Sequence, residues 1–126
     1  MSPNQGLKPA RRSSCPIACT LDLVGDRWTL LVLRDLFGSK RSFDAFLASP
    51  EGIATNVLAD RLAKLERDGL VTRCRDLHDG RRVVYQLTRR GRSFAPVMRA
   101  LRDWGLAHVP GTSTLEFKAM RRAARQ

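Results

Sequence analysis

The 126-residue chain is 43% hydrophobic and 28% charged, enough apolar material for one globular domain without disulfides or metal. Its 23 Lys and Arg against 12 Asp and Glu give a formal net charge of +11, which favours a polyanionic partner, nucleic acid, and a surface that releases counterions on binding. The longest apolar run, Leu30–Leu33, is far too short for a bilayer, and residues 1–14 contain no apolar leader segment, so neither a membrane protein nor an exported one is expected.

Residues 1–14, with Lys8, Arg11, Arg12 and two prolines, read as a disordered basic arm. Order is expected from Cys15-Pro16, where proline suits the first position of a helix, and Ile17, Leu21 and Val24 recur at helical spacing until Gly25. Asp26 is a natural N-cap for a second helix running to Gly38, apolar on most sides and therefore central. Ser42 caps a short helix over Phe43–Ala48, ended by Pro50 and Gly52. From Ile53 to Asp68, Leu58, Leu62 and Leu65 mark a fourth helix, with Gly69 as its stop.

The pattern then turns β-prone. Leu70–Arg75 and Val83–Leu87 read as strands, the second with Val83, Tyr85 and Leu87 on one face, and Asp79-Gly80 is the turn signal between them. Thr88 caps a further helix expected to reach Trp104, interrupted or kinked at Pro96, with Val97, Leu101 and Trp104 on one stripe. Gly105 and Pro110-Gly111 break the chain, and Ser113-Thr114-Leu115-Glu116 has capping-box spacing for a last short helix. The folded domain is thus placed at 15–110, followed by a C-terminal short helix and basic tail at 111–126.

Helix, helix, short helix, capped helix and charged hairpin is the order of a winged helix-turn-helix, a mostly α fold with a small β-hairpin (α+β). If the fourth helix packs by its leucines, Asn56, Asp60, Lys64 and Arg67 turn outward, and a helix of this width fits the major groove of duplex DNA. The hairpin loop carries His78, Arg81 and Arg82, and between Arg73 and Arg92 seven arginines face two aspartates, whereas Ile53–Asp68 is neutral. The helix is therefore expected to read bases, and the wing and its base to grip phosphate. The candidate DNA-contact set is Ser42, Thr55, Asn56, Asp60, Arg61, Lys64, His78, Arg81 and Arg82.

Three cysteines, Cys15, Cys19 and Cys74, are an odd number and read as reduced cytosolic thiols. Cys15 before Pro16 is positioned to be an N-cap, where helix amides stabilise a thiolate, so it is a candidate redox sensor, against the reading of a small, half-buried structural cap. Cys15 and Cys19 lack a His or acidic partner at useful spacing, and no metal or cofactor is expected. An enzyme pairing Cys15 with His78 or His108 lacks any supporting acid pair or phosphate loop, so catalysis is not expected. A non-specific architectural DNA binder is the alternative to a sequence-specific regulator.

Cys15-Pro16, then Leu21-Asp22-Leu23-Val24-Gly25-Asp26-Arg27-Trp28-Thr29-Leu30-Leu31-Val32-Leu33, Arg41-Ser42-Phe43-Asp44, Gly52-Ile53, Leu58 through Val71, Val84-Tyr85-Gln86-Leu87-Thr88 and Gly91-Arg92-Ser93 together resemble the HxlR-type winged helix-turn-helix regulators, over about residues 15–105. The resemblance implies a bacterial, cytoplasmic, nucleoid-associated homodimer on an inverted-repeat operator, with the helix at Ala54–Asp68 as recognition helix and 76–82 as wing. It also implies an interface between first and last long helices, for which Ile17, Leu21, Val97, Leu101 and Trp104 are the candidates, and some relatives sense oxidants or electrophiles through a cysteine near position 15. This chain departs from the pattern at Ala54, where a serine cap is lost, at a cost of about 1 kcal/mol, or shifts to Thr55, and at Asp60, a carboxylate where a neutral polar residue is usual. The operator sequence, and the identity of any small-molecule effector, do not follow from the resemblance.

Overall fold

The computed structural model describes residues 13–38 and 40–113; the basic arm up to residue 12 and the capping-box helix expected after Ser113 lie outside the described residues. Among the described residues six helices and one hairpin follow in the order α1 (Pro16–Val24), α2 (Arg27–Phe37), α3 (Phe43–Leu47), α4 (Thr55–Arg67), β1 (Val71–Arg75), β2 (Val83–Leu87), α5 (Arg89–Arg92) and α6 (Ala95–His108). The two strands pair antiparallel, with Arg73 opposite Tyr85 and Arg75 opposite Val83. Among the described residues no helix is long and apolar enough to cross a membrane.

The core forms where apolar periodicity predicts it. Leu58, Leu62 and Leu65 of α4 are buried against Val32, Leu33 and Leu36 of α2 and Phe46 of α3, and Leu70 and Val71 close the cluster from the start of the hairpin. The buried stripe of α2 runs Thr29, Val32, Leu33 and Leu36, so Trp28, Leu30 and Leu31 are left half-buried at its margins. Three predicted caps are present. Asp26 accepts from the Thr29 amide at 2.9 Å, Ser42 from the Ala45 amide at 3.2 Å, and Thr88 from the Gly91 amide at 3.0 Å. The N-cap of α4 is Ala54, which makes no side-chain cap bond, as its side chain requires.

Several expectations need correction. Of the two outcomes expected near Pro96 the helix is interrupted and not kinked, but the break falls earlier: the chain turns at Ser93-Phe94, and proline starts a separate helix in the first turn, where its missing N–H goes unnoticed. That helix continues through Gly105 to His108, so only Pro110-Gly111 ends it. On β2 the alternation is blurred. Tyr85 and Leu87 pack on the core, with the Tyr85 ring 6.2 Å from that of Phe46, yet Val84 on the opposite face is buried as well. The reason is the segment before α3, whose Arg41 carbonyl accepts from the Tyr85 amide at 2.8 Å along the outer edge of β2. Val24, grouped with Ile17 and Leu21 by spacing, belongs to the core instead.

The turn between α3 and α4 is held by a polar network that periodicity does not foresee. Asp35 of α2 is buried and accepts from the Ser49 hydroxyl at 2.5 Å, which itself accepts from Lys40 at 2.6 Å. Beside it Arg34 forks onto Glu51 at 2.6 and 2.8 Å, and this bidentate bond holds the Glu51 carboxyl below its ordinary range against the opposing effect of burial. Gly52 then leaves the turn at φ 74°, where a side chain would be strained.

Gly91 marks a close approach. The Leu70 carbonyl, which accepts from the Thr88 amide at 3.0 Å, lies where a Cβ on residue 91 would stand. Gly91→Ala is therefore expected to destabilise the domain by about 3 kcal/mol, read as a lowered urea midpoint at unchanged slope. An unchanged midpoint would mean that α5 is free to shift.

Candidate nucleic-acid interface

The exposed side of α4 is defined by what its leucines leave over. With Leu58, Leu62 and Leu65 inward, Thr55, Asn56, Ala59, Asp60, Ala63, Glu66 and Arg67 are exposed or lie toward solvent. Asn56, Ala59, Ala63 and Arg67 follow one another at three- and four-residue steps and so share a stripe. Two of these are alanines, absent from the candidate set read from sequence. A methyl-sized side chain leaves room for close approach of a partner surface and can meet an apolar group such as a thymine methyl.

Two of the predicted reading residues are engaged elsewhere. Lys64 does not turn its ammonium outward: it donates to the Leu23 carbonyl at 2.6 Å and to the Asp22 carbonyl at 3.3 Å, and reaches Asp68 at 3.3 Å. A cation there satisfies the last carbonyls of α1 and complements the helix dipole. Arg61 donates to Asp26 at 3.0 Å and to Asp60 at 2.6 Å. Burial alone would raise the Asp26 carboxyl, but the Thr29 hydroxyl and amide together with Arg61 outweigh it and hold the group below its usual range. Arg61 and Lys64 thus fasten α4 to the α1–α2 corner and fix the angle at which the exposed stripe is presented. Asp60 keeps an exposed carboxylate, partly neutralised by Arg61.

The wing loop spans residues 76–82. Asp76 donates its amide to the Arg82 carbonyl at 2.8 Å, and the Arg82 amide donates to the Asp79 carbonyl at 2.9 Å. Both aspartates in this basic loop brace its backbone. Asp76 accepts from the His78 amide at 2.9 Å, and Asp79 accepts from the Arg81 amide at 3.1 Å. The His78 amide bond, with Arg82 nearby, lowers the Asp76 carboxyl. Arg75 donates to the Gly80 carbonyl at 2.7 Å and stiffens the loop, while His78, Arg81 and Arg82 are exposed at its surface.

The arginines of 73–92 do not form one surface. Thr88 anchors α5 at the foot of the hairpin through the Gly69 carbonyl at 2.6 Å, so Arg89, Arg90 and Arg92 lie about five strand residues, roughly 16 Å, from the tip. Arg92 also donates to the Leu87 carbonyl at 3.0 Å. Ser42, by contrast, is mostly buried, and its hydroxyl is committed to the α3 cap.

Away from this face, α1 and α6 leave large apolar side chains in the open: Ile17 is 71% exposed, Leu21 57%, Leu101 50% and Trp104 64%, with Val97 also exposed. Of the α6 residues only Met98 is buried. Cys15 is the N-cap of α1 and exposed, but its thiol makes no cap bond; its amide donates to Ser13 Oγ at 3.0 Å. Cys19 and Cys74 are half-buried.

Comparison with known proteins agrees with this architecture. A family model described as HxlR-like helix-turn-helix matches residues 23–113. The HTH-type transcriptional regulator YdeP of Bacillus subtilis is 34% identical over 81% of this chain and 80% of its own length. The HTH-type regulator sll1512 of Synechocystis is 38% identical over 72% of this chain and 67% of its own. Among solved structures, that of PA1607, described as a transcription factor, superposes with a TM-score of 0.74 at 36% identity, covering 81% of this chain and 72% of that one. The oxidised form of HypR, described as a redox regulator, superposes with a TM-score of 0.67 at 30% identity over 75% of this chain and 97% of that one.

Proposed function

The chain belongs to the HxlR-like helix-turn-helix family of transcriptional regulators, and from that premise we propose that it acts as a homodimer on a specific inverted-repeat operator. The observation that carries the reading is the exposed stripe of short and polar side chains on α4, beside a hairpin whose loop presents Arg81 and Arg82. In this reading α4 enters the major groove, where Asn56 pairs with adenine and Ala59 and Ala63 permit close approach, and the wing grips the backbone. One such module covers one half-site, too little for selectivity against a genome of competing sites. Duplication about a two-fold axis requires an apolar surface outside the DNA face, and the exposed side chains of α1 and α6 supply one. Such a protein works in the cytoplasm, on the nucleoid.

Selection of bound duplexes from a random pool tests this. An inverted repeat with half-sites about 10 base pairs apart is expected. A pool that stays random after repeated selection would leave a non-specific architectural binder.

Cys15 supports a regulatory reading on the same fold. HypR is described as a redox regulator, and Cys15 is an exposed thiol at the N-terminus of a helix whose Ile17 and Leu21 belong to the proposed interface. Modification at Cys15 would disturb that interface and weaken operator binding. Under limiting iodoacetamide, Cys15 is expected to be labelled before Cys19 and Cys74, with loss of binding that Cys15→Ser prevents. Equal labelling of Cys74, or a Cys15→Ser protein that still loses DNA on oxidation, would remove the sensor role.

A further inference from the structure

Between the segment leading into α3 and the wing lies an open cleft of about 350 Å³. Three separate stretches of chain bring arginines to its walls: Arg41 ahead of α3, Arg75 at the end of β1 and Arg82 at the end of the loop. Ala45, Val84 and Gln86 also line it, and its one carboxylate, Asp76, accepts from the His78 amide. Arg41 is held there by its backbone rather than its side chain, through the bond from the Tyr85 amide to its carbonyl. Arg75 is held by its bond to Gly80, and Arg82 by the two backbone bonds that close the loop. The cleft is therefore a concavity lined by three arginines on braced backbone, and Arg41 is the one of them that neither α4 nor the hairpin provides.

We propose that this cleft seats a phosphodiester of the DNA backbone, with Arg41 as the residue that completes the seat. This rests on the DNA-binding reading and deepens it. The backbone beside the groove occupied by α4 would cross the approach to α3 and pass between Arg41 and the wing, so that protein and duplex are locked in register by a contact carrying no base information. Guanidinium groups suit such a seat because they fork onto two phosphate oxygens at once. In the sequence Arg41 is inconspicuous, standing next to a capping serine and away from the basic run of the hairpin.

A salt titration of binding to a mixed-sequence duplex of about 25 base pairs tests the seat and needs no knowledge of the operator. Arg41→Ala is expected to lower affinity about tenfold and to reduce the slope of log K against log salt by about one contact, while Arg41→Lys keeps the slope. Arg89→Ala, at the foot of the hairpin, should leave it unchanged. Phenylglyoxal labelling of Arg41 should be suppressed by the duplex and not by millimolar inorganic phosphate. An Arg41→Ala protein with the wild-type slope overturns the seat while leaving specific DNA binding intact. Protection by inorganic phosphate as strong as that by duplex overturns it in favour of a free-anion site. Wild-type protein that ignores duplex DNA overturns both the seat and the function on which it rests.

Discussion

Replacing Leu101 and Trp104 together by glutamate is expected to yield a folded monomer whose affinity for the selected operator falls at least about a hundredfold. Both side chains are at least half exposed, and α6 contributes only Met98 to the buried residues, so the double change should leave the helical signal and the urea midpoint near their original values. In a dimer the same positions would sit in a desolvated interface, where two unpaired carboxylates per chain are strongly unfavourable. Fluorescence anisotropy on the operator, with circular dichroism as the folding control, reads both halves. A monomeric variant that still binds at wild-type affinity would show that one module suffices. A variant that stays dimeric would place the interface elsewhere.

The second large effect separates reading from gripping. Asn56→Ala is expected to cost about 1–3 kcal/mol at one base position, relaxing preference there roughly tenfold to a hundredfold while other positions keep theirs. Arg81→Ala combined with Arg82→Ala should instead weaken every sequence alike and reduce the salt slope by about two contacts. Parallel selection experiments with the two proteins decide between them. Altered base preference in the wing variant and none in Asn56→Ala would reverse the assignment of roles.

Much of the fold is legible in the sequence because its signals are backbone signals. Leucines at 58, 62 and 65, caps at Asp26, Ser42 and Thr88, and glycines at 25 and 69 state where a helix starts, stops and packs, and each does so in the structure. The destination of a long side chain is another matter. Spacing puts Lys64 on the same outer face as Asn56, but four methylenes let its ammonium travel to the open carbonyls of α1, a site created only when the helices pack. Arg61 and Asp35 are illegible for the same reason, since their partners Asp26 and Ser49 lie 35 and 14 residues away in sequence. Ala59 and Ala63 escape a sequence reading because alanine announces no chemistry, and only exposure in the middle of the stripe proposed to face DNA gives their smallness a meaning. Pro96 is ambiguous in principle: the residue that breaks one helix also begins the next, and the turn at Ser93-Phe94 decides between them.

The mass of the complex with selected operator DNA bears most directly on the proposed dimeric, operator-specific mode of action. Sedimentation equilibrium at micromolar protein is expected to give about 28 kDa for the free protein, twice the chain mass of 14.2 kDa, and two chains on each duplex carrying both half-sites. A 14.2 kDa species that binds as a single chain to the same duplex would contradict it.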